Sequence, residues 1–191
     1  MPPMPEGAEE GIRRGLYKFA PAPEGPSRRA TIVFSGTAQA AAREAQEVLA
    51  ADHDVAAELW SATSYKSRRE DALSVERWNR LHPTEAPRTP YVTEVLSSAS
   101  GPLLAVTDFM KSVPDQVSRW VPGTYLSLGT DGYGRSDTQA NLRRHFETDT
   151  PHVVVGVLTA LAQTDDAKPQ EVADAIARYG LDPEAADPLR S

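Results

Sequence analysis

The polar residues best placed to do chemistry follow a glycine-rich turn in the last third of the chain. Gly129, Gly132 and Gly134 alternate there with acidic, aromatic and basic side chains, and a capped amphipathic helix is predicted directly afterwards. The spacing is neither the dinucleotide fingerprint nor a phosphate loop with its Lys-Ser/Thr pair. A tight turn of this kind is suited to aiming polar side chains at a neighbouring surface.

Two histidines join these residues because each lies in a distinctive motif, although a buried, hydrogen-bonded structural role would also explain either of them. The predicted interface or access loop therefore consists of His82, Asp131, Tyr133, Arg135, Asp137 and His145.

A second candidate is the turn made by Ser35, Gly36 and Thr37, which follows a short predicted strand and opens a predicted helix. Free backbone N–H groups at such a turn can hold an anion. One possible function is therefore a non-catalytic binding or regulatory module that holds a small anion at the sheet edge, around Ser35–Thr37 or Gly129–Arg135. A turn that holds only water explains the same residues, and both interpretations stay open at this stage.

The usual catalytic and metal-binding patterns are absent from the sequence. The chain has no cysteine, and no two of its four histidines stand at a metal-ligand spacing. No serine lies in a nucleophile elbow, and no pair of carboxylates or catalytic triad stands out. We therefore predict no catalytic, cofactor-binding or metal-binding residue in this chain.

The elements that must position these residues alternate along the chain. Short apolar strands are predicted at 31–35, 55–60, 103–107 and 125–128, and helical patterns lie between and after them. This alternation predicts an α/β fold with a mostly parallel central sheet and helices on both faces.

Three predictions concern the helices. A helix with Pro114 in its first turn should carry Val117, Trp120 and Val121. Ser136 with Gln139 has the spacing of a capping box, and Thr150 before Pro151 should cap the following helix. The closing helix, from Pro169 to Tyr179, should turn Val172, Ala173 and Ile176 inward and stop at Gly180.

Composition separates an arm from a domain and restricts the classes of partner. Residues 1–28 are rich in proline and are predicted to be a linker or arm, so residues 29–191 should form the ordered domain. Twenty-seven acidic residues against twenty basic ones give a net charge of −7, which argues against nucleic-acid or membrane binding. The absence of cysteine and of a signal peptide fits a cytoplasmic protein.

Several motifs, in order along nearly the whole chain, resemble the C-terminal domain of the homodimeric pyruvate dehydrogenase first component, a thiamine-diphosphate enzyme related to transketolases. They are Met4-Pro-Glu-Gly-Ala-Glu-Glu-Gly-Ile12 with Gly15-Leu-Tyr17, Trp60-Ser-Ala-Thr-Ser64, Glu76-Arg-Trp-Asn-Arg-Leu-His-Pro83, Pro90-Tyr-Val92, Thr107-Asp-Phe-Met-Lys111, Trp120-Val-Pro-Gly123, Leu128-Gly-Thr-Asp-Gly-Tyr-Gly-Arg-Ser-Asp137 and Leu142-Arg-Arg-His-Phe-Glu147. The stretch Ser67–Leu73 departs from the family pattern.

The resemblance implies the fold of the transketolase C-terminal domain and a division of labour. In this family the magnesium–diphosphate motif belongs to the first domain and the glutamate that activates the aminopyrimidine belongs to the second. The third domain chiefly builds contacts between subunits and domains and shapes access to the active site. No cofactor ligand is therefore carried over onto these positions.

The function expected from the resemblance is that of a C-terminal subunit or domain of a thiamine-diphosphate-dependent pyruvate dehydrogenase or transketolase-like enzyme, inactive alone. Its expected partners are chains or domains that carry the two thiamine-binding domains, in a hetero- or homo-oligomer, with an acyl-acceptor component as a further possible partner. Thiamine diphosphate and magnesium would be present only in the assembled enzyme. Either a separately encoded subunit or a piece of an intact enzyme would fit.

Overall fold

A computed structural model describes residues 5–190 of the chain. Five strands alternate with eight α-helices in this part of the chain. In order they are α1 (Glu9–Arg14), β1 (Tyr17–Ala20), β2 (Arg28–Phe34), α2 (Gln39–Asp52), β3 (Val55–Ser61), α3 (Tyr65–Leu81), α4 (Tyr91–Leu96), β4 (Leu103–Val106), α5 (Ser112–Asp115), β5 (Tyr125–Leu128), α6 (Gln139–His145), α7 (Thr150–Gln163) and α8 (Pro169–Arg178). Two short 3₁₀ turns lie at Gly36–Ala38 and Ser118–Trp120.

The strands form one sheet in the order β1-β3-β2-β4-β5. The last four strands in this order run parallel, and β1 pairs antiparallel with β3 at one edge. Ile32 lies in register with Leu59 on one side and with Leu104 on the other, so three apolar strands meet at the centre. The predicted α/β fold with a mostly parallel sheet is confirmed.

Alternate strand residues face two separate cores, because successive side chains of a strand point to opposite faces. On one face Ile32, Leu59 and Leu104 pack with the buried sides of α2 and α7. On the other face Val33, Trp60 and Ala105 pack with residues of α3 and α4. Helices therefore cover both faces of the sheet.

Strand β1 lies inside the segment predicted to be an arm. The expected arm covers residues 1–28, of which residues 1–4 lie outside the described part of the chain. Tyr17–Ala20 pairs with β3, and Lys18 Nζ lies 2.7 Å from Glu58 Oε2 on that neighbouring strand. This part of the segment is thus an edge strand of the sheet rather than a free linker.

The predicted helix that begins near Pro114 is wrong in length. Helix α5 ends at Asp115, and only a 3₁₀ turn at Ser118–Trp120 follows it. Val121 is extended, with φ −80° and ψ 129°. Pro122 disfavours helical geometry at the residue before it, which explains why the helix does not continue.

Two predicted caps lie one or two residues away from the true ones. Thr138, rather than Ser136, accepts the capping hydrogen bond at α6, from the Asn141 N–H at 3.3 Å. Asp149, rather than Thr150, caps α7 by accepting from the His152 N–H at 3.2 Å. In each case a neighbouring residue that can also cap a helix holds the extended conformation that an N-cap requires.

The closing helix differs from its prediction on one face. Ala173 is exposed, whereas Ala175 is buried against the core that α2 and α7 share. Val172 and Ile176 are partly buried, as expected for the inward side. No helix among residues 5–190 is long and apolar enough to cross a membrane.

Candidate functional site

The site residues gather at the carboxyl edge of the sheet, where the loops after β2, β4 and β5 meet. The chain passes from β2 outward to β3 and then returns to the other side of β2 as β4. The loops that follow β2 and β4 therefore diverge, which makes this edge a topological switch point. In open α/β sheets, ligands bind outside the carboxyl ends of the strands at such a point.

The predicted anion turn is occupied by a side chain of the protein itself. Asp108, which follows β4, accepts a hydrogen bond from the Thr37 N–H at 3.0 Å. Gly36 has φ +56°, and a Cβ atom added there would lie 2.1 Å from Asp108 Oδ1. Ser35 is buried and shares a hydrogen bond of 2.7 Å with Thr107 Oγ1.

The geometry at Ser35, Gly36 and Thr37 disfavours the predicted anion at this turn. A carboxylate already satisfies the Thr37 N–H and would repel a second negative group at contact distance. Only a glycine fits at position 36, because its backbone is left-handed and the carboxylate lies against its Cα. This turn holds Asp108 in place.

The glycine-rich loop after β5 is fastened to the loop after β4 by three hydrogen bonds. Thr130 donates its backbone N–H to the Phe109 carbonyl and its hydroxyl to the Asp108 carbonyl, each at 2.9 Å. Asp131 Oδ1 accepts from the Lys111 N–H at 2.9 Å. The predicted site residue Asp131 thus fixes the geometry between two loops.

An apolar patch stands on these two loops. Phe109 and Met110 are each 56% exposed, and Tyr133 is 80% exposed. We call these three residues the carboxyl-edge patch. The Thr130 N–H bond to the Phe109 carbonyl joins the two loops that carry these side chains.

Asp137 is exposed and organises the start of α6. Its Oδ1 accepts from the Asn141 side chain at 2.8 Å and from the Thr138 N–H at 2.6 Å. These two hydrogen bonds lower the pKa of Asp137 below its ordinary value. The predicted site residue is therefore ionised across the physiological range.

Arg135 and His145 line one cavity of about 380 Å³ that lies between the end of α6 and the segment after α8. His145 packs its ring edge against Phe146, with ring centroids 4.8 Å apart, and its Nε2 is buried without a partner among the described residues. His152 lines the same cavity, and its ring Nδ1 contacts Asp149. The structure thus brings two of the predicted residues together.

Asp149 lies beside this cavity and contacts both His152 and Arg144. Burial alone would raise the pKa of Asp149, but hydrogen bonds from the His152 side chain and backbone, together with the charges of His152 and Arg144, lower it below its ordinary value. Arg144 Nε lies 3.0 Å from Asp149 Oδ2. The group joins α6 to the first turn of α7.

His82 does not belong to this site. It follows α3, which starts at the carboxyl edge and has 17 residues, so its end lies about 25 Å away along the helix axis. The His82 ring stacks on Trp78 with centroids 4.4 Å apart, and Nδ1 lies 2.8 Å from the Trp78 carbonyl oxygen. Arg88 covers the same indole at 3.7 Å from its centroid. This three-member stack accounts for His82 within the domain.

The cavity at the switch point contains two charged residues that the sequence analysis did not single out. It measures about 320 Å³ and lies between the loops after β2, β4 and β5 and helix α6. Asp108 and Arg143 are its charged lining residues, and both are tied to Thr37: Arg143 Nη2 donates to the Thr37 carbonyl at 3.1 Å. An aspartate directly after a buried strand is a signal that could have identified Asp108.

The described residues do not fit a magnesium–diphosphate group. Residues 5–190 contain no group of three or more histidine, cysteine, aspartate or glutamate side chains that could hold a metal ion. At the switch point, the backbone N–H of Thr37 is bonded to Asp108, whose charge disfavours a diphosphate.

Comparison with known proteins identifies the same domain. The family model described as transketolase-like TK C-terminal domain matches residues 15–149, which is more than half of the chain. The pyruvate dehydrogenase E1 components of Pseudomonas aeruginosa and Escherichia coli K12 are 45% and 46% identical over 98% of this chain. In both cases the chain spans only 21% of the relative's length.

Solved structures agree on the fold. A transketolase from Leishmania mexicana superposes with a TM-score of 0.55 at 20% identity, over 87% of this chain and 21% of that one. A split gene transketolase, described as an inactive beta4 tetramer, gives a TM-score of 0.52 at 18% identity, over 78% of this chain and 43% of that one. The described motifs, the sheet order and the family match lead to one conclusion: the chain belongs to the transketolase-like C-terminal domain family.

Proposed function

We propose that this chain is the non-catalytic C-terminal subunit or domain of a thiamine-diphosphate-dependent 2-oxo acid dehydrogenase of the pyruvate type, and that it serves assembly and active-site access. The observation that carries this proposal is a match of 45% identity over 98% of the chain to only 21% of the relative. The remaining four-fifths of such an enzyme would hold thiamine diphosphate and magnesium. Those parts would be its principal partners, in a cytoplasmic oligomer that can also engage an acyl-acceptor component.

The chemistry available on the described residues supports a non-catalytic role. The charged groups at the carboxyl edge are engaged in holding loops and helix ends: Asp131 binds the Lys111 backbone, and Asp137 binds the start of α6. The pKa of Asp137 is lowered, away from the near-neutral value that favours general acid–base catalysis. We therefore infer that these residues shape a surface.

The carboxyl-edge patch is the surface proposed to meet the rest of the enzyme. Phe109, Met110 and Tyr133 expose large apolar side chains on two neighbouring loops, and interfaces are enriched in aromatic residues and methionine. Arg135 and Asp137, which follow Tyr133 in the chain, are exposed charged residues. The hydrogen bonds between the two loops restrict the patch before a partner binds, which lowers the entropy that binding must overcome.

The split gene transketolase offers a parallel for a separate subunit. Its β chain is described as forming an inactive tetramer, and this chain covers 43% of it in fold. By this parallel, a separate chain of this family would be inactive until it assembles with the other chains of the enzyme.

The first test is turnover by the purified chain. With pyruvate, thiamine diphosphate, Mg²⁺ and an artificial electron acceptor, the chain alone should give no rate above the protein-free reaction. The full-length Escherichia coli relative, run in parallel, is the positive control. Pyruvate-dependent reduction of the acceptor by the chain alone would overturn the proposal.

The second test locates the interface. The chain should co-purify with an Escherichia coli relative from which the matched fifth has been deleted, and Tyr133→Ser with Phe109→Ser should weaken this association about tenfold or more. Leu81→Ser removes an equally exposed apolar side chain at the far end of α3 and should leave it unchanged. The assignment to the carboxyl edge fails if Leu81→Ser weakens association and the patch variants do not.

A further inference from the structure

After helix α8 the chain returns to the carboxyl edge of the sheet and reaches the glycine-rich loop. Residues between 180 and 186 line the cavity that Arg135 also lines. Farther along, the backbone of Pro188 and Leu189 lies against Gly132. A Cβ atom added at Gly132 would overlap the Pro188 carbonyl oxygen and would lie 3.4 Å from Leu189 Cα. The two segments are therefore in direct backbone contact.

Residues 187–190 form a tight turn, which we call the 187–190 turn. The Arg190 N–H donates to the Asp187 carbonyl and the Leu189 N–H donates to Asp187 Oδ1, each at 2.9 Å. Aspartate in the first position and proline in the second are favoured in such a turn. Leu189, in the third position, is 59% exposed. The local sequence thus forms the turn, and the turn leaves Leu189 in contact with solvent.

Gly132 is the residue that permits this contact. Its φ is +101°, and the Pro188 carbonyl group occupies the space that a Cβ atom would need. A side chain at position 132 would therefore strain the backbone and also push the 187–190 turn away. Gly25 has a similar φ of +109°, but a Cβ atom there would meet no atom within 4 Å. A substitution at Gly25 thus reproduces the strain without disturbing a contact.

Three segments are joined in a row at this edge. Asp131 Oδ1 accepts from the Lys111 N–H, which joins the glycine-rich loop to the loop after β4, and the next residue, Gly132, contacts the 187–190 turn. Among residues 5–190, five large hydrophobic residues are exposed: the three of the carboxyl-edge patch, Leu189 and Leu81. Four of these five therefore lie on the three joined segments. Single exposed apolar side chains are normal, whereas such a group is typical of an interaction surface.

We propose that the 187–190 turn is part of the surface that meets the thiamine-binding domains, with Leu189 as its contact residue. The inference rests on the proposed function and extends its interface to a segment more than fifty residues further along the chain than Tyr133. The partner is the part of the enzyme that this chain does not match, since the chain spans only 21% of the relative. The partner surface should be apolar opposite Leu189, because contact there removes apolar area from water.

Association with the Escherichia coli relative that lacks the matched fifth tests the contact. Leu189→Ser should raise the dissociation constant about fivefold or more, and removal of residues 187–191 should raise it about tenfold or more, because each takes apolar area from the interface. Leu81→Ser is the matched control. Leu81 is 53% exposed but lies at the far end of α3, so its replacement should leave the dissociation constant unchanged.

Gly132→Ala and Gly25→Ala separate the contact from backbone strain. Gly132→Ala should weaken association about as much as removal of residues 187–191, whereas Gly25→Ala should leave association unchanged. In ¹H–¹⁵N NMR spectra of the chain alone, the amide resonances of Leu189 and Arg190 should shift in Gly132→Ala and stay in place in Gly25→Ala. Unchanged resonances in Gly132→Ala would show that the turn does not lie on the loop, and would overturn the proposal.

The outcomes distinguish this inference from the proposed function. If the unmodified chain associates, and both Leu189→Ser and removal of residues 187–191 leave the dissociation constant unchanged, the inference alone is overturned. If the unmodified chain does not associate, the proposed function is overturned and the inference falls with it. Circular dichroism shows whether each variant folds. Leu189→Ser changes only an exposed side chain, so its result decides if Gly132→Ala unfolds.

Discussion

Replacement of Gly36 by alanine tests how tightly the loop after β2 encloses Asp108. The new Cβ would lie 2.1 Å from Asp108 Oδ1 and 2.6 Å from Asp108 Oδ2, at a residue with φ +56°. A left-handed backbone with a Cβ costs about 1–2 kcal/mol. Displacing the carboxylate also breaks its charge-assisted hydrogen bond with the Thr37 N–H, which adds about 1.5–3 kcal/mol. We therefore expect the free energy of unfolding to fall by about 2.5–5 kcal/mol.

Gly180 provides the matched control, because its φ is +59° and a Cβ there would meet no atom within 4 Å. Urea denaturation should give Gly180→Ala a loss of only about 1–2 kcal/mol, the backbone part alone. In a chain that already carries Asp108→Ala, the cost of Gly36→Ala should fall to that of Gly180→Ala. The reasoning is refuted if the two glycine variants lose equal stability, or if removal of the Asp108 side chain leaves the cost of Gly36→Ala unchanged.

Three further predictions concern stability. Asp149→Ala should lower the free energy of unfolding in urea by about 1–3 kcal/mol, because it removes the α7 cap and the Arg144 partner, whereas Thr150→Ala should cost less than half as much. The pKa of Asp149 is lowered from 3.8, so its contribution is complete above about pH 4 and is lost as the pH falls through the native pKa. Acid titration should therefore unfold the wild type more steeply than Asp149→Asn, and equal slopes would contradict the assignment. Glu58→Ala should lower the free energy of unfolding by about 2–4 kcal/mol, because Trp60 Nε1 and Lys18 Nζ both lose their acceptor. The same change should speed hydrogen exchange of the β1 amides. Unchanged exchange would show that Glu58 does not anchor β1.

The parallel strands could be predicted because each is a short apolar run bounded by turn-forming residues. Ile32 and Leu104 lie in such runs, and their burial follows directly from the pattern. The sequence pattern does not predict strand β1, because Tyr17–Ala20 is short, lies next to prolines and pairs along one edge only. Local pattern carries little information about an edge strand, whose pairing depends on a distant segment.

The helix caps show the limit of spacing rules. Ser136, Asp137 and Thr138 are three consecutive residues that can cap a helix, and only the backbone conformation at Thr138 decides among them. The same holds for Asp149 and Thr150 at α7.

The site could be predicted only in part, because its contacts depend on the order of the strands. Arg135 and His145 meet in one cavity, which their closeness along the chain made plausible. The contact between Asp108 and Thr37 requires β4 to lie beside β2, and no local feature of the sequence encodes that. The sequence motif predicts that His82 lies with the glycine-rich loop, but the direction of α3 carries it about 25 Å away.

The most direct test of the central claim is a domain exchange in the Escherichia coli relative, to which this chain is 46% identical. The matched fifth is replaced by this chain, and thiamine-diphosphate-dependent decarboxylation of pyruvate is compared with that of the parent and of the deletion. The account predicts that the deletion is inactive and that the exchanged enzyme regains activity within about tenfold of the parent. A folded exchanged enzyme with the parent's oligomeric state and no more activity than the deletion would contradict it.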